Sequence, residues 1–216
     1  MARRIGEQKR KRNIRKESKM IIIISEGECT EPYYFVKFNG ELRDSGVRIK
    51  TPKVRQTDPI SLVKAAISII NRKRSDCRIS QEEGDEIYCV YDVDDNSDAV
   101  LNSAKELAEK NGIKIFLSNP CFEIWFLLHF EQVNKGVSRE DLYEQLKKYI
   151  KNYDKSGEVY HLLKDLQANA IANAERLNSM HEENGISLSC NACNPSTQVF
   201  KMIKYFKSLK EGTSYT

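Results

Sequence analysis

With 216 residues, 40% of them hydrophobic and 31% charged, the chain can bury one sizeable core and carry a small helical appendage. No apolar run approaches the length of a bilayer span, and no apolar signal-peptide core follows the basic N-terminus, which argues against a membrane or secreted protein and makes the cytoplasm the expected location. The net charge of +4 conceals an asymmetry: residues 1–19 hold nine Lys and Arg side chains against Glu7 and Glu17, a net of +7, which leaves −3 for residues 20–216.

The first expected segment is therefore a basic arm, residues 1–19. Its Arg3, Arg4, Arg10, Lys11, Arg12, Arg15 and Lys16 are candidate nucleic-acid contacts, since such a run holds phosphates by counterion release without reading sequence. A solvated tail is the competing reading. The run Met20 to Ser25 is continuously apolar and β-branched, as in a strand buried on both faces. Pro32 suits the first turn of a helix reaching about Leu42, and Val47 to Val54 alternates like a strand. Asp58-Pro59 reads as an N-cap and first helical position for a helix to about Arg74. Arg78 to Asp85 is polar and loop-like. Glu86 to Tyr91 is a third strand, Ser97 opens a helix to about Lys110, and Gly112 ends it before a strand from Ile113 to Leu117.

The order βαβαβαβ predicts an α/β fold with a mostly parallel sheet flanked by helices. Ser118 to Phe130 begins with turn residues and continues as a buried helix carrying the only Trp. Helical patterns follow over roughly 138–151, 157–181 and 196–209. The expected organisation is the arm, an α/β core over 20–135 and a helical C-terminal region over 136–216. Six scattered cysteines, Cys29, Cys77, Cys89, Cys121, Cys190 and Cys193, argue for reduced thiols rather than a disulfide framework.

Carboxylates follow two of the strands. If Met20–Ser25 and Glu86–Tyr91 lie side by side, Glu26, Glu31, Asp92 and Asp94 converge beyond their carboxyl ends, where ligands of such sheets bind. Like charges so close push one another toward protonation unless a cation is shared. Hard oxygen ligands in that arrangement suit Mg²⁺ or Mn²⁺, and such a site performs phosphoryl transfer or phosphodiester hydrolysis.

The segment Ser25-Glu26-Gly27-Glu28-Cys29-Thr30-Glu31-Pro32-Tyr33-Tyr34-Phe35, the run Tyr91-Asp92-Val93-Asp94 and the motif from Ser118-Asn119-Pro120-Cys121-Phe122-Glu123-Ile124-Trp125 to His129-Phe130 resemble the RloB-like, AbiL-type abortive infection proteins, which are in turn similar to Toprim nucleases. The resemblance extends over most of the chain, including the arm and Asn194-Pro195-Ser196-Thr197. It implies a Toprim-like α/β domain in a prokaryotic antiphage system, an ATPase partner encoded nearby in some cases, and a metal-dependent nuclease acting on RNA, tRNA included, or on DNA.

Under that resemblance Glu26 and the pair Asp92 and Asp94 occupy the Toprim acid positions, and Glu31 and Glu123 are the further acids of a two-metal site. Asp95 competes with Asp94, and Glu28 with Glu31. Asp92 and Asp94 would hold one ion, Glu31 and Glu123 a second, and Glu26 would bridge or act as the base. Asn119 is a candidate ligand-orienting or phosphate-contacting residue, with a turn as the plain alternative. His129 is a lesser acid–base candidate, a satisfied buried histidine being the stronger reading. Tyr149, Tyr153 and Lys155 could stack bases and hold phosphates, or belong to a basic surface helix. Cys190-x-x-Cys193 with His181 is a weak zinc signal lacking a second Cys pair. The competing function class is a catalytically silent nucleic-acid-binding or sensing subunit that acts only with its ATPase. The homo-oligomeric state is left open.

Overall fold

The computed structural model describes residues 19–42, 45–56, 58–72, 78–93, 96–155 and 157–212. The arm residues Arg3, Arg4, Arg10, Lys11, Arg12, Arg15 and Lys16, together with Asp94 and Asp95, lie outside the described residues. In chain order the elements are β1 (Lys19–Ser25), α1 (Thr30–Asn39), β2 (Val47–Lys50), α2 (Pro59–Ile70), β3 (Glu86–Asp92), α3 (Asp98–Lys110), β4 (Lys114–Asn119), α4 (Glu123–Leu127), α5 (Arg139–Lys147), α6 (Tyr160–Leu163), α7 (Gln167–Glu183), β5 (Ser196–Thr197) and α8 (Val199–Glu211).

The sheet has the order β2-β1-β3-β4-β5. Its first four strands are parallel and β5 runs antiparallel to β4. The four consecutive isoleucines of β1 explain its central place, because side chains alternate between faces and both faces must be apolar in a strand covered on each side. Ile21 and Ile23 join Tyr88 and Val90 in the core under α1, α4 and the C-terminal helices. Ile22 and Ile24 join Ile87, Cys89 and Tyr91 in the core under α2 and α3. Local signals start the helices: Asp58 accepts from Ser61 N with Pro59 beside it, Ser97 accepts from Val100 N, and Ser138 accepts from Asp141 N, each satisfying an otherwise orphaned amide.

The strand order creates the site. From β1 the chain moves outward to β2, then crosses back over the opposite face to β3 on the other side of β1. This reversal opens a crevice beyond the carboxyl ends of β1 and β3. The register Ser25↔Val90 sets Glu26 and Asp92 at its lip.

Several boundaries differ from the expectations. Lys19, assigned above to the arm, is the first residue of β1. The second strand stops at Lys50, since Pro52 has no N–H to extend a ladder. The second helix ends at Ile70 with Asn71 as cap. The helix expected over 138–151 ends at Lys147, and beyond it Asn152 takes a left-handed φ of 56°. The 157–181 stretch is broken into α6, a tight turn at Lys164–Leu166 and α7. Residues 196–209 divide into the two-residue β5 and α8. No helix among the described residues is long and apolar enough to cross a membrane.

Candidate active site

Glu26 follows β1 and carries the ladder one step further, its N–H donating to Val90 O at 3.1 Å. Its side chain reaches across to β3, where Oε2 accepts from Asp92 N at 3.3 Å. Glu31 sits in the first turn of α1, where the helix dipole favours a carboxylate. Its Oε1 accepts from Gly27 N at 3.0 Å. The contact uses the absence of a side chain at Gly27, because a Cβ there would lie 2.1 Å from Glu31 Oε2 and would force the carboxylate to shift. Asp92 closes β3. Its Oδ1 accepts from Phe122 N at 2.9 Å and its Oδ2 from Arg139 Nη2 at 3.4 Å.

Glu123 opens α4 and is 3% exposed. Its Oε1 accepts from the Tyr153 hydroxyl at 3.1 Å and from Thr30 Oγ1 at 3.4 Å. Thr30 Oγ1 also lies 3.3 Å from Lys155 O, which ties the 148–159 connection to the start of α1. The four carboxylates, Gly27, Glu28, Cys29, Thr30, Phe122, Arg139 and Lys155 line one cavity of about 260 Å³. The Lys155 ammonium stands 5.4 Å from the centre of the Tyr143 ring, a cation–π distance.

Electrostatics follow from this crowding. Burial pushes the Glu31 carboxyl up to about 7, with Glu123 and Glu26 adding to the rise and the hydrogen bond from Gly27 opposing it. Asp92 is raised well above the usual carboxylate range, by burial first and then by Glu31, Glu123 and Glu26, with Arg139 opposing. Burial raises the Cys121 thiol and the Tyr153 hydroxyl as well, and Glu123 contributes to both. Negative charge is therefore in surplus at this lip of the sheet, which is the condition that a divalent cation relieves.

Among the described residues, no group of three or more His, Cys, Asp and Glu side chains is arranged to hold a metal ion as the site stands. Glu31, Asp92 and Glu26 each spend an oxygen on a backbone amide and Glu123 spends one on two hydroxyls. The donor set nonetheless fits Mg²⁺ or Mn²⁺ in kind: all hard carboxylate oxygens, with burial and then mutual repulsion favouring protonation at Glu31 and Asp92.

Asn119 is brought to a different place. It is buried at the end of β4, and its amide donates to Asn191 O at 3.1 Å, pinning the Asn191–Cys193 turn to the sheet. It does not line the acidic cavity. His129 is buried on the turn after α4, with Nδ1 2.8 Å from Trp125 O and its ring edge-on to that indole. Burial lowers it to about 4, so it is a neutral core histidine at physiological pH. Cys190 and Cys193 bond to carbonyls within their own turn, while His181 Nε2 lies 2.8 Å from Pro195 O. The five described cysteines are free.

Three contributors were not read from the sequence. Arg139 opens α5, where a cation opposes the helix dipole, a signal that marks it as a residue held there by something outside the helix. Gly27 carries no signal of its own in the sequence, and its part shows only in the close approach of Glu31. Tyr153 was considered for base stacking, whereas its hydroxyl is committed to Glu123.

Comparison with known proteins adds one match: a family profile described as "RloB-like protein" covers residues 21–206. No curated protein and no solved structure matches the chain.

Proposed function

The chain belongs to the RloB-like family, and from the crevice it folds we propose that it is a Toprim-like, metal-dependent nuclease of an abortive-infection type defence system. The observation that carries this reading is the convergence of Glu26, Glu31, Asp92 and Glu123 on one cavity at the switch point of the sheet, with their negative charge under-compensated. Perturbed carboxylates in a cleft mark functional sites.

Glu26, Glu31, Asp92 and Glu123, joined by Asp94 from outside the described residues, would hold Mg²⁺ or Mn²⁺. Bound there, the ion would neutralise charge developing on the phosphoryl and leaving-group oxygens and would lower the pKa of a bound water. Glu26, half-buried at the end of β1, accepts the proton of the attacking water. Arg139 and Lys155 are the cations of the cavity wall, and their role is to meet the non-bridging oxygens of the scissile phosphodiester, the guanidinium by its planar fork. Tyr153 and Thr30 hold Glu123 in one orientation, so that the acid set is fixed before substrate arrives. Residues 1–18 would add sequence-independent affinity for the polyanion, which the sheet domain, at negative net charge, does not supply by itself.

The test is incubation of the purified chain with single-stranded DNA, duplex DNA, bulk RNA and tRNA, each with Mg²⁺, Mn²⁺ or EDTA, beside Asp92→Ala. Metal-dependent cleavage that is absent in Asp92→Ala is the expected result. Cleavage unaffected by the substitution would overturn the mechanism. Tight, salt-sensitive binding without turnover would point instead to a sensing subunit that depends on a partner ATPase.

A further inference from the structure

The outer edge of β4 is the other unusual surface. β4 is paired along its inner side with β3 from Lys114 to Ser118, but on its outer side β5 covers only Ser118 and Asn119. Among the described residues no strand pairs with the outer side of Lys114 to Leu117. The direction of the free groups follows from two hydrogen bonds. Ser118 O accepts from Val93 N on the β3 side, and Leu117 O accepts from Gln198 N on the outer side. In a parallel ladder a residue turns its N–H and C=O the same way and its neighbour the opposite way. The N–H and C=O of Ile115 and the N–H of Leu117 therefore face outward, spaced as one strand would meet them.

That edge is the floor of a cavity of about 420 Å³. On the α3 side its wall is apolar: Leu101, Ala108, Ile113 and Leu117. On the rim stand Lys105 and Lys114, and Lys201 from α8, against the single acid Glu109. Lys114 is paired with Glu86, whereas no ion pair is described for Lys105 or Lys201.

We propose that this groove is a strand-addition site for an extended acidic segment of a partner protein, its backbone pairing with Ile115 and Leu117, its apolar side chains entering the α3 side beneath Lys105 and its alternate, acidic side chains turned to Lys201 on the α8 side. Backbone pairing at an open edge supplies affinity and alternate pockets supply specificity. Charge argues against a second copy of the chain as occupant. Edge-to-edge pairing of β4 would set these lysines against themselves, and pairing with the sheet's other edge would set them against Arg48 and Lys50 of β2. The inference is independent of the nuclease reading.

The probe is a fluorescein-labelled peptide of alternating Glu and Val, titrated by anisotropy into the full chain, with a Lys and Val peptide as control. The acidic peptide binds and the basic one does not; hydrogen exchange at Ile115 and Leu117 slows on binding; Lys105→Glu with Lys201→Glu weakens binding by about tenfold or more. Ile115→Pro, which removes an outward N–H and leaves the β3 ladder intact, abolishes it. Absence of binding at millimolar peptide, equal binding of both peptides, or unchanged exchange at the two amides would overturn the proposal. So would self-association through β4, read by sedimentation.

Discussion

β3 begins and ends with a carboxylate, and the two are held in opposite ways. At its start Glu86 is met by Lys19 at 3.1 Å, by Lys114 at 3.0 Å and by the Tyr205 and Tyr88 hydroxyls. Burial acts to raise its pKa, yet the hydrogen bonds from Tyr88, Lys114 and Lys19 outweigh it and hold Glu86 below the usual value. At the other end of the same strand Asp92 has, among the described residues, Arg139 as its one cationic partner, and shares its surroundings with three further carboxylates that, with burial, hold it high. One strand can thus carry an acid that folding satisfies and an acid that folding leaves in need of positive charge. The second arrangement costs stability, and a chain keeps such a cost where it serves a site.

The widest separation between the two ends is expected from paired substitutions. Asp92→Asn lowers metal-dependent cleavage by at least about 10³-fold without lowering the metal-free melting temperature. Glu86→Gln leaves cleavage within about threefold while removing about 1 kcal/mol of stability through its lost lysine and tyrosine partners. Equal losses of activity from both would erase the distinction. Cleavage rates and thermal melts on the two variants decide it.

Gly27→Ala sharpens the geometric side of the same contrast. Its Cβ would displace the Glu31 carboxyl, so cleavage falls by roughly 10- to 100-fold with the fold retained. Wild-type kinetics in this variant would show that the position of Glu31 does not matter.

A smaller effect lies in pH. Glu31 binds its proton more tightly folded, at about 7, than its ordinary 4.5, so its favourable contribution is complete below about 4.5 and is lost as pH rises through 7. His129 acts in the opposite sense, its folded value of about 4 lying below the free 6.5, so stability is lost as pH falls from 6.5 toward 4. The two windows overlap, and the difference between Glu31→Gln and wild type cancels the histidine. In metal-free buffer the variant melts roughly 3–8 °C above wild type at pH 8 and together with it near pH 4. A gap that does not grow with pH would place Glu31 among compensated acids like Glu86.

Much of this arrangement was legible before folding because it rests on local signals. Four β-branched residues in a row read as a strand covered on both faces, and Glu26 and Asp92 are legible as the residues that follow such strands. Adjacency of β1 and β3 was a condition the sequence could pose but not meet, because the crossover rule makes the strands parallel without fixing their order. What stayed hidden depends on distant closure. β5 is two residues long and exists only because Asn178 and β4 receive it, a contact with no period to read. Arg139 meets Asp92 across 47 positions, and Tyr153 meets Glu123 across 30. Asn119 and His129 sit in the motif beside Glu123, but adjacency in sequence did not bring them to the cavity, because β4 aims one at the Asn191–Cys193 turn and α4 carries the other into the core.

The most direct measurement is a Mn²⁺ titration, by calorimetry and by electron paramagnetic resonance, of the wild-type chain, Glu123→Gln and Glu86→Gln at pH 8. Wild type and Glu86→Gln should bind Mn²⁺ alike, and Glu123→Gln should lose about tenfold or more in affinity. Failure of the wild type to bind at millimolar Mn²⁺, or equal binding by all three, would contradict a cation site at the carboxyl end of β3.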